Sequence, residues 1–311
     1  MDLKQLRAFL MVADTGNVTR AAEMLNLVQP AVSRQIRLLE ENIGTPLFER
    51  ERHGMALTDA GKALVGYARR ALLELDRARM EVVGTATGSV SGLVTLGLLP
   101  STGDLLANPL VSAVASTYPE IRVRIVVGYA GTLMKWLASG EVDAALIYGA
   151  ERSSDIQTTP LVEDALWVIG PPESKLRPGR PVTLAELSKH RVVLPSAPHG
   201  IRTLVEHACA VAKVTLNLSA ETNDLNVQRS LVLGGHGLTI LPPIAIAEDL
   251  QNRTLKGAPL AAPGISRTIM LALPAHRPTA RHVRCAVDLL VQEARRAIHS
   301  DAWPKGRWLG P

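Results

Sequence analysis

The sequence has little of what builds disulfide frameworks or metal sites. Its 311 residues include only two cysteines, Cys209 and Cys285, which belong to no CxxC or Cys/His pattern. Their number and spacing argue against a disulfide framework and a zinc site. The histidines His236, His276 and His282 match no ligand spacing of a known metal set. We therefore expect no metal and no cofactor.

Long apolar runs are also missing. No apolar stretch approaches the roughly 18 residues that a membrane span requires. The opening MDLKQLRAFL has no basic stretch followed by a continuous apolar segment, so we expect no secretory signal and a cytosolic location. Hydrophobic residues still make up 47% of the chain, which favours folded cores over disorder. The length indicates two or three domains.

Motifs of common enzyme classes are absent. The chain contains no GxGxxG, Walker A, GxSxG or HExxH pattern. Ser196 and His199 lie on one predicted turn, but a catalytic triad needs an acid that the sequence does not identify. We therefore expect no catalytic residue. An enzyme with a catalytic α/β region remains the second hypothesis, which turnover of candidate ligands would support.

Residues 17–50 form the most informative stretch. They predict two short helices joined by a tight connection. The first spans Val18–Leu25 with a cap from Asn17 or Thr19, and the second carries Pro30 in its first turn. The buried face of the second helix is predicted to hold four residues at spacings of 4, 3 and 4: Val32, Ile36, Leu39 and Ile43.

The opposite face of the second helix suits DNA. At about 100° per residue, Arg34 points away from the buried face. Arginine can pair with guanine, Gln29 can pair with adenine, and the Ala31 methyl can meet a thymine methyl, as in the recognition helix of a helix-turn-helix. The alternative is that Arg34 and Arg37 form a solvated face. The predicted DNA-binding residues are Gln29, Pro30, Ala31, Ser33, Arg34, Arg37, Arg50 and Arg52.

The last two of these residues belong to a predicted hairpin wing. It covers Glu49–Ala56 with Gly54 at its tip, and it also carries His53. The net charge of +5 does not explain DNA binding, because residues 1–58 hold seven basic and seven acidic residues. Locally placed arginines must supply the phosphate contacts. The basic excess lies in residues 264–311, which we interpret as a solvated helix face and a loose tail.

The pattern R-AAE-L---QPAVSRQI--LE--IGTPLFER in this stretch, followed by LTDAG at Leu57–Gly61, resembles the N-terminal domain of LysR-type transcriptional regulators. The resemblance implies an all-α winged helix-turn-helix domain (1–58), a linker helix with a hinge (59–87), an α/β two-lobed periplasmic-binding-protein-like effector domain (88–300) and a tail (301–311). Val28 replaces the serine or threonine common in the family, so the recognition helix needs another cap.

A long helix is predicted from Thr58, its N-cap, to about Val83, followed by a hinge at Gly84–Gly92. It carries a heptad seam for nearly three repeats: Leu64, Ala68, Ala71, Leu75, Ala78 and Val82. Such a helix is a rod of roughly 37 Å. We interpret the seam as a dimerisation surface; the alternative is packing against its own domain.

Beyond the hinge, strands alternate with helices, which indicates parallel sheets covered by helices. Strands are predicted at 93–99, 121–127, 143–148, 166–169, 192–194, 216–220, 238–241 and 268–273, and helices at 104–117, 132–139, 201–212, 225–233, 244–250 and 279–298. Chain crossings near 160 and 266 then divide the region into lobe I (88–160 and 266–300) and lobe II (161–265).

Ligands of such sheets bind beyond the C-terminal strand ends, where helix N-termini offer free N–H groups. The turns LPST and LPSAPHGIR supply hydroxyls, an imidazole and a guanidinium at such ends. The predicted effector-binding residues are Ser101, Thr102, Gly131, Thr132, Ser196, His199, Gly200, Arg202 and Gly235. Simpler alternatives are capping by Ser101 and Thr102, and an ion pair of Arg202 with a neighbouring acid.

The resemblance implies a transcription factor that binds promoter DNA as a homodimer or homotetramer, engages RNA polymerase and senses a small-molecule co-inducer, for which we expect a small organic anion. Ligand closing the cleft would change the placement of the DNA-binding heads. A transport-type solute-binding protein is the third hypothesis; the missing signal and the 87-residue N-terminal segment count against it.

Overall fold

A computed structural model describes residues 1–51, 54–87, 89–149, 154–276 and 278–311. They form two compact units: Met1–Ser89 with Ser139–Glu141, and Val90–Ala138 with Val142–Pro311. Each unit has its own hydrophobic core. Among the described residues, none of the helices combines the length and the apolar character needed to cross a bilayer.

The first unit is a helical domain with a two-stranded wing. Its elements are α1 (Leu3–Thr15), α2 (Val18–Met24), α3 (Gln29–Ile43), β1 (Phe48–Glu51), β2 (Gly54–Leu57) and α4 (Asp59–Thr87). Phe9, Leu39 and Leu47 are its largest fully buried side chains. The predicted helix–turn–helix and wing are confirmed.

Capping explains where the two short helices begin. The Asn17 side-chain oxygen accepts hydrogen bonds from the Thr19 and Arg20 backbone N–H groups at 2.9 and 3.1 Å, which starts α2. Val28 precedes α3 and provides no side-chain cap. Pro30 lies in the first turn of α3, where a missing N–H costs little.

The buried face of α3 matches the predicted spacing at its first three positions. Val32, Ile36 and Leu39 are buried. The prediction is wrong for Ile43, which is 40% exposed because the helix ends there at Gly44, whose φ is +82°.

The wing is attached to the end of α1. The Met55 N–H donates to the Gly16 carbonyl at 2.8 Å. Gly54, with φ of +150°, lies so close to the end of α1 that a Cβ would meet the Gly16 oxygen at 2.3 Å. Glycine is therefore required at the start of β2.

The linker helix is longer than predicted. Thr58 caps it as expected, because its hydroxyl accepts from the Gly61 N–H at 3.0 Å. The helix continues to Thr87, so the predicted end at Val83 is wrong and the first four residues of the predicted hinge are helical. Helical hydrogen bonding evidently overrides the weak propensity of the Gly–Thr stretch.

The second unit contains two sheets flanked by helices. The helices are α5 (Pro100–Thr117), α6 (Ala130–Ser139), α7 (Leu184–Leu187), α8 (Gly200–Ala212), α9 (Leu225–Leu233), a 3-10 turn (Pro243–Ile246), α10 (Ala247–Asn252) and α11 (Arg281–His299). The strands are β3 (Gly92–Leu98), β4 (Ile121–Val127), β5 (Ala144–Ile147), β6 (Ile156–Ala165), β7 (Trp167–Gly170), β8 (Arg191–Pro195), β9 (Asn217–Thr222), β10 (Leu238–Leu241), β11 (Lys256–Pro259), β12 (Ser266–Pro274) and β13 (Gly306–Trp308).

The sheets define two lobes. Lobe I has six strands in the order β13-β6-β12-β5-β3-β4, and lobe II has five in the order β11-β7-β10-β8-β9. Strands β3, β4 and β5 are parallel, as are β8, β9 and β10. Strand β6 was not predicted, and it keeps the chain in lobe I until Ala165, so the first crossing lies later than residue 160.

The C-terminal segment is not a loose tail, which corrects the prediction for residues 301–311. Trp303 is only 1% exposed. Strand β13 pairs antiparallel with β6, from Gly306 opposite Asp164 to Trp308 opposite Val162. Burial of an indole fixes this segment against lobe I, so the sheet extends beyond residue 300.

Candidate functional site

The outer face of α3 presents the predicted DNA-reading residues to solvent. Gln29, Pro30, Arg34 and Arg37 are exposed. Ala31 and Ser33, which are also predicted contacts, are half-buried between them and the core face. One continuous surface therefore carries two guanidinium groups, an amide, a hydroxyl and a methyl group, the side chains that read base edges in a major groove.

Two local contacts organise that surface. The Gln29 side-chain amide donates to the Ser33 hydroxyl at 2.9 Å, one helical turn away. Arg37 lies 3.4 Å from the Glu41 carboxylate, and both side chains are well exposed. An exposed i,i+4 pair contributes at most about 0.5 kcal/mol, so Glu41 restrains Arg37 only weakly.

The wing is positioned relative to α3 by Glu40. Its carboxylate accepts from the Leu47 and Phe48 backbone N–H groups at 2.7 and 3.2 Å. Arg50 is exposed on β1, where it pairs in register with Met55. Arg52, a predicted DNA contact, and its neighbour His53 lie outside the described residues.

A second candidate site lies between the lobes of the second unit, beyond the C-terminal ends of the parallel strands. It is a cavity of about 30 Å³. Its lining comprises Leu99, Pro100, Ser101, Tyr129, Tyr148, Pro195, His199, Ile201, Thr222, Asn223, Leu225, Gln228, Leu241, Pro242, Ala245 and Arg267. Residues that follow strands of both lobes meet here, as expected for sheets of this kind.

Arg267 is the charged centre of this cleft. Its Nε and Nη2 donate to Asp164 Oδ2 at 3.0 and 2.8 Å, and Nη2 also donates to the Ser101 hydroxyl at 2.9 Å. The guanidinium lies 4.8 Å from the centroid of the Tyr148 ring. Arg267 and Asp164 are both buried. Burial raises the pKa of the Asp164 carboxyl, while Arg267 opposes that shift.

His199 is a neutral hydrogen-bonding group in this cleft. Burial and, secondarily, the Arg267 charge lower its pKa to about 4. Its Nδ1 accepts from the Ile201 N–H at 3.2 Å and so caps α8, which leaves the proton on Nε2. The ring meets Tyr129 edge-on with centroids 4.8 Å apart. Its Nε2 therefore carries a proton and is a hydrogen-bond donor at neutral pH.

His199 should make the second unit sensitive to mild acid. The pKa of His199 in the folded state lies below the ordinary 6.5. Its contribution to the free energy of unfolding is therefore complete above pH 6.5 and is lost as the pH falls toward 4. Between pH 7.5 and 5 we expect wild type to lose about 1–2 kcal/mol more than His199→Asn, after allowance for partial exposure. Thermal unfolding at several pH values measures this. His190→Asn, at an exposed position, is the control; parallel curves for wild type and His199→Asn would contradict the assignment.

Only two predicted effector-binding residues, Ser101 and His199, line the cavity. Thr102 is buried, and its hydroxyl interacts with the Leu99 backbone, as a cap does. Gly200 packs closely against the Tyr148 ring of the cleft, since a Cβ there would meet that ring at 2.5 Å. The other predicted residues lie outside the lining: Gly131, Thr132, Ser196, Arg202 and Gly235.

Arg202 is occupied by acidic partners, as the alternative interpretation anticipated. Its Nε contacts Glu206, its Nη1 contacts Glu221, and Nη1 also donates to the Pro195 carbonyl at 3.3 Å. The side chain is 13% exposed. The structure therefore places Arg202 as a tie between α8 and the ends of β8 and β9.

Sequence reasoning missed Arg267, Asp164 and Tyr148. Asp164 lies near the end of β6, which the sequence pattern does not predict as a strand, and Arg267 lies near the start of β12, so each is an isolated charge and a weak signal for a site. Nothing local pairs them, because they are 103 residues apart. Among the described residues, no three His, Cys, Asp or Glu side chains are grouped to hold a metal ion.

Two family models match the chain. The model described as "Bacterial regulatory helix-turn-helix protein, lysR family" matches residues 3–62, and the model "LysR substrate binding domain" matches residues 87–295. Together they cover most of both units.

Similar proteins extend over the whole chain. BbuR, an HTH-type transcriptional regulator of Bordetella bronchiseptica, is 31% identical over 98% of this chain and 93% of its own length. The nitrogen assimilation regulatory protein nac of Escherichia coli is 28% identical over 99% of both chains. Among solved structures, full-length CbnR complexed with its target DNA has a TM-score of 0.72 at 20% identity, covering 96% of this chain and 100% of that one. A full-length OxyR from Pseudomonas aeruginosa has a TM-score of 0.70 at 24% identity, covering 95% of both chains.

Proposed function

The chain belongs to the LysR family of bacterial transcriptional regulators, and from that premise we propose how its two sites divide the work. Regulators of this family bind promoter DNA and small-molecule effectors. In this chain α3 reads the operator, and the cleft around Arg267 binds a small organic anion. The exposed outer face of α3 is the observation that supports DNA reading by this helix. Arg34 and Arg37 are exposed there, and the Glu41 partner of Arg37 is exposed as well.

Promoter binding is tested directly by fluorescence anisotropy. DNA from upstream of this protein's own gene and its divergent neighbour is titrated with protein in a salt series, with scrambled DNA as the control. We expect saturation in the nanomolar range, roughly 10³-fold weaker binding to scrambled DNA and a steep salt dependence. Equal, weak binding to both DNAs would contradict this operator location.

The effector assignment is supported by the donors in the cleft. Arg267, the Ser101 hydroxyl and the neutral His199 imidazole converge there, and helices α5 and α8 begin beside it. Helix N-termini and charge-assisted hydrogen bonds favour anions. A ligand pocket normally measures about 300–1,000 Å³, whereas this cavity is about 30 Å³. An organic effector therefore binds only when the lobes separate, and its binding shifts that equilibrium.

We propose that the exposed part of the α4 seam joins two copies of the chain. Leu64 and Ala68 pack within the core of their own unit, whereas Leu75 and Val82 are 48% and 71% exposed. The two interpretations of the seam thus apply to different parts of one helix. A two-fold dimer would present two recognition helices to two half-sites.

The double substitution Leu75→Glu/Val82→Glu should weaken self-association at least about tenfold, because two carboxylates would be desolvated in an apolar seam. Light scattering coupled to size-exclusion chromatography measures the molar mass of the assembly. Lys62→Glu, which introduces the same side chain on the opposite side of α4, should leave the mass unchanged. A dimer that persists in the seam variant would place the contact elsewhere.

The remaining partners follow from the same proposal. We propose that the protein also contacts RNA polymerase and assembles to a homotetramer. Because its partner is DNA, we propose that it acts in the cytoplasm. The family and the relatives are transcriptional regulators, and we assign no catalytic residue.

A further inference from the structure

A larger groove lies beside lobe II, where the turn before β13 also lines it. It has a volume of about 720 Å³ and shares no lining residue with the cleft. Four parts of the chain surround it: β7 with the loop that follows it, the start of the 3-10 turn, the end of α10 with β11, and the turn before β13. We call it the basic groove, after its five cationic lining residues Lys175, Arg177, Arg253, Lys256 and Lys305.

The charge of the basic groove is uncompensated. No aspartate or glutamate lines it. In the described parts of the chain none of its five cations forms an ion pair, although two nearby arginines do: Arg229 pairs with Asp249, and Arg180 with Glu186. Clustered cations repel one another, and a concave surface concentrates their field. The groove therefore attracts anions.

The floor of the groove is apolar. It is formed by the Trp167 indole together with Leu250 and Leu255, of which Trp167 and Leu255 are buried. One hydroxyl, Ser174 Oγ, is buried beside them and has no hydrogen-bond partner among the described residues. An apolar floor, a cationic rim and a single unused hydroxyl match an amphipathic ligand better than an inorganic ion.

We propose that the basic groove is a second small-molecule site, which binds an organic anion with an aromatic or aliphatic body. The body lies on Trp167 and the two leucines, and its carboxylate or sulfonate meets the cationic rim. The volume of the basic groove falls within the range of about 300–1,000 Å³ that is usual for ligand pockets.

The position of the groove adds a consequence for the lobes. Lys305 precedes β13, a strand of lobe I, whereas Arg253 and Lys256 belong to lobe II. An anion that contacts both sides links the C-terminal segment to lobe II. It would therefore favour one relative arrangement of the lobes, and it would be coupled to the cleft through that equilibrium.

Calorimetric titration of the full-length protein with 2-naphthoate tests this proposal, with 2-naphthalenemethanol as an uncharged probe of the same shape. The groove variant is Arg177→Glu/Lys256→Glu. The matched control, Lys189→Glu/Lys213→Glu, makes the same charge change at exposed lysines outside the groove. A third variant, Ser101→Ala, alters the cleft alone.

We expect saturable 2-naphthoate binding that weakens at least about tenfold in the groove variant and for the uncharged probe. The lysine control and Ser101→Ala should bind within about twofold of wild type. Three results would overturn the proposal: no saturation below about 1 mM, equal binding by the groove variant, or binding that is lost in Ser101→Ala and kept in the groove variant. None of these depends on promoter binding, so failure here is distinguishable from failure of the proposed regulator.

Discussion

Replacing Arg34 and Arg37 together by alanine is expected to weaken operator-specific binding strongly while leaving the fold intact. Both side chains are exposed on α3. A bidentate arginine–guanine contact discriminates by about 1–3 kcal/mol, so loss of two such contacts should weaken specific binding by roughly 30-fold or more. Thermal stability should change by less than about 0.5 kcal/mol, as for other exposed positions. Anisotropy titration and thermal unfolding measure the two quantities.

Two single variants sharpen this test. Lys4→Ala removes one exposed cation from the same unit without touching α3, so it should leave the ratio of specific to scrambled binding unchanged. Glu41→Gln releases Arg37 from its exposed ion pair and removes a negative charge, so binding should tighten modestly. If the double arginine variant retains the specific-to-scrambled ratio of wild type, α3 is not the reading element.

Arg267→Ala is expected to cause the largest loss of stability in the second unit. The Arg267 and Asp164 side chains are 3% and 0% exposed. Removing one partner leaves the other charge buried and unpaired, which costs about 3–5 kcal/mol. For a unit of this size the melting temperature should fall by roughly 6–20 °C. Calorimetry of the full-length protein measures the transition.

A neighbouring ion pair provides the matched control. Arg307 contacts Glu163 at 2.8 Å, but Arg307 is 67% exposed, so Arg307→Ala should cost less than about 1 kcal/mol. The double substitution Arg267→Met/Asp164→Leu removes both charges and should recover most of the loss, because no charge then stays buried alone. A double variant as unstable as Arg267→Ala would show that packing around Tyr148, rather than the unpaired carboxylate, sets the cost.

The elements that the sequence determined by itself are those whose signals are local. The spacing of Val32, Ile36 and Leu39 predicts the buried face of α3, and a cap from Asn17 or Thr19 predicts the start of α2, where the structure has Asn17. The bounds of α9 and β10 also agree with the predicted ones. A helix is held by hydrogen bonds four residues apart, so caps and periodicity suffice to locate it.

Strand β6 shows where local signals fail. Its sequence, IQTTPLVEDA, contains Pro160 and does not alternate clearly. It becomes a strand because β12 and β13 pair with it on both sides, with a register shift between Ile269 and Met270 that accommodates the proline. The same pairing orders the C-terminal segment that charge patterning assigned to a tail. Whether β6 and β13 form strands therefore depends on sheet partners that are distant in sequence.

The residues of the cleft fall into the same two groups, those predicted from local motifs and those that depend on strand pairing. Ser101 and His199 are identifiable from their strand-to-helix turns, because each turn is a local motif. Arg267 and Asp164 acquire their role only when β12 and β6 pair in register, which places the two charges together in the interior. A buried charge is tolerated only beside its partner. The sequence alone thus predicted the recognition helix and two strand-to-helix turns of the candidate sites, and the tertiary structure decided which charges meet in the cleft, since burial and pairing depend on residues far apart in the chain.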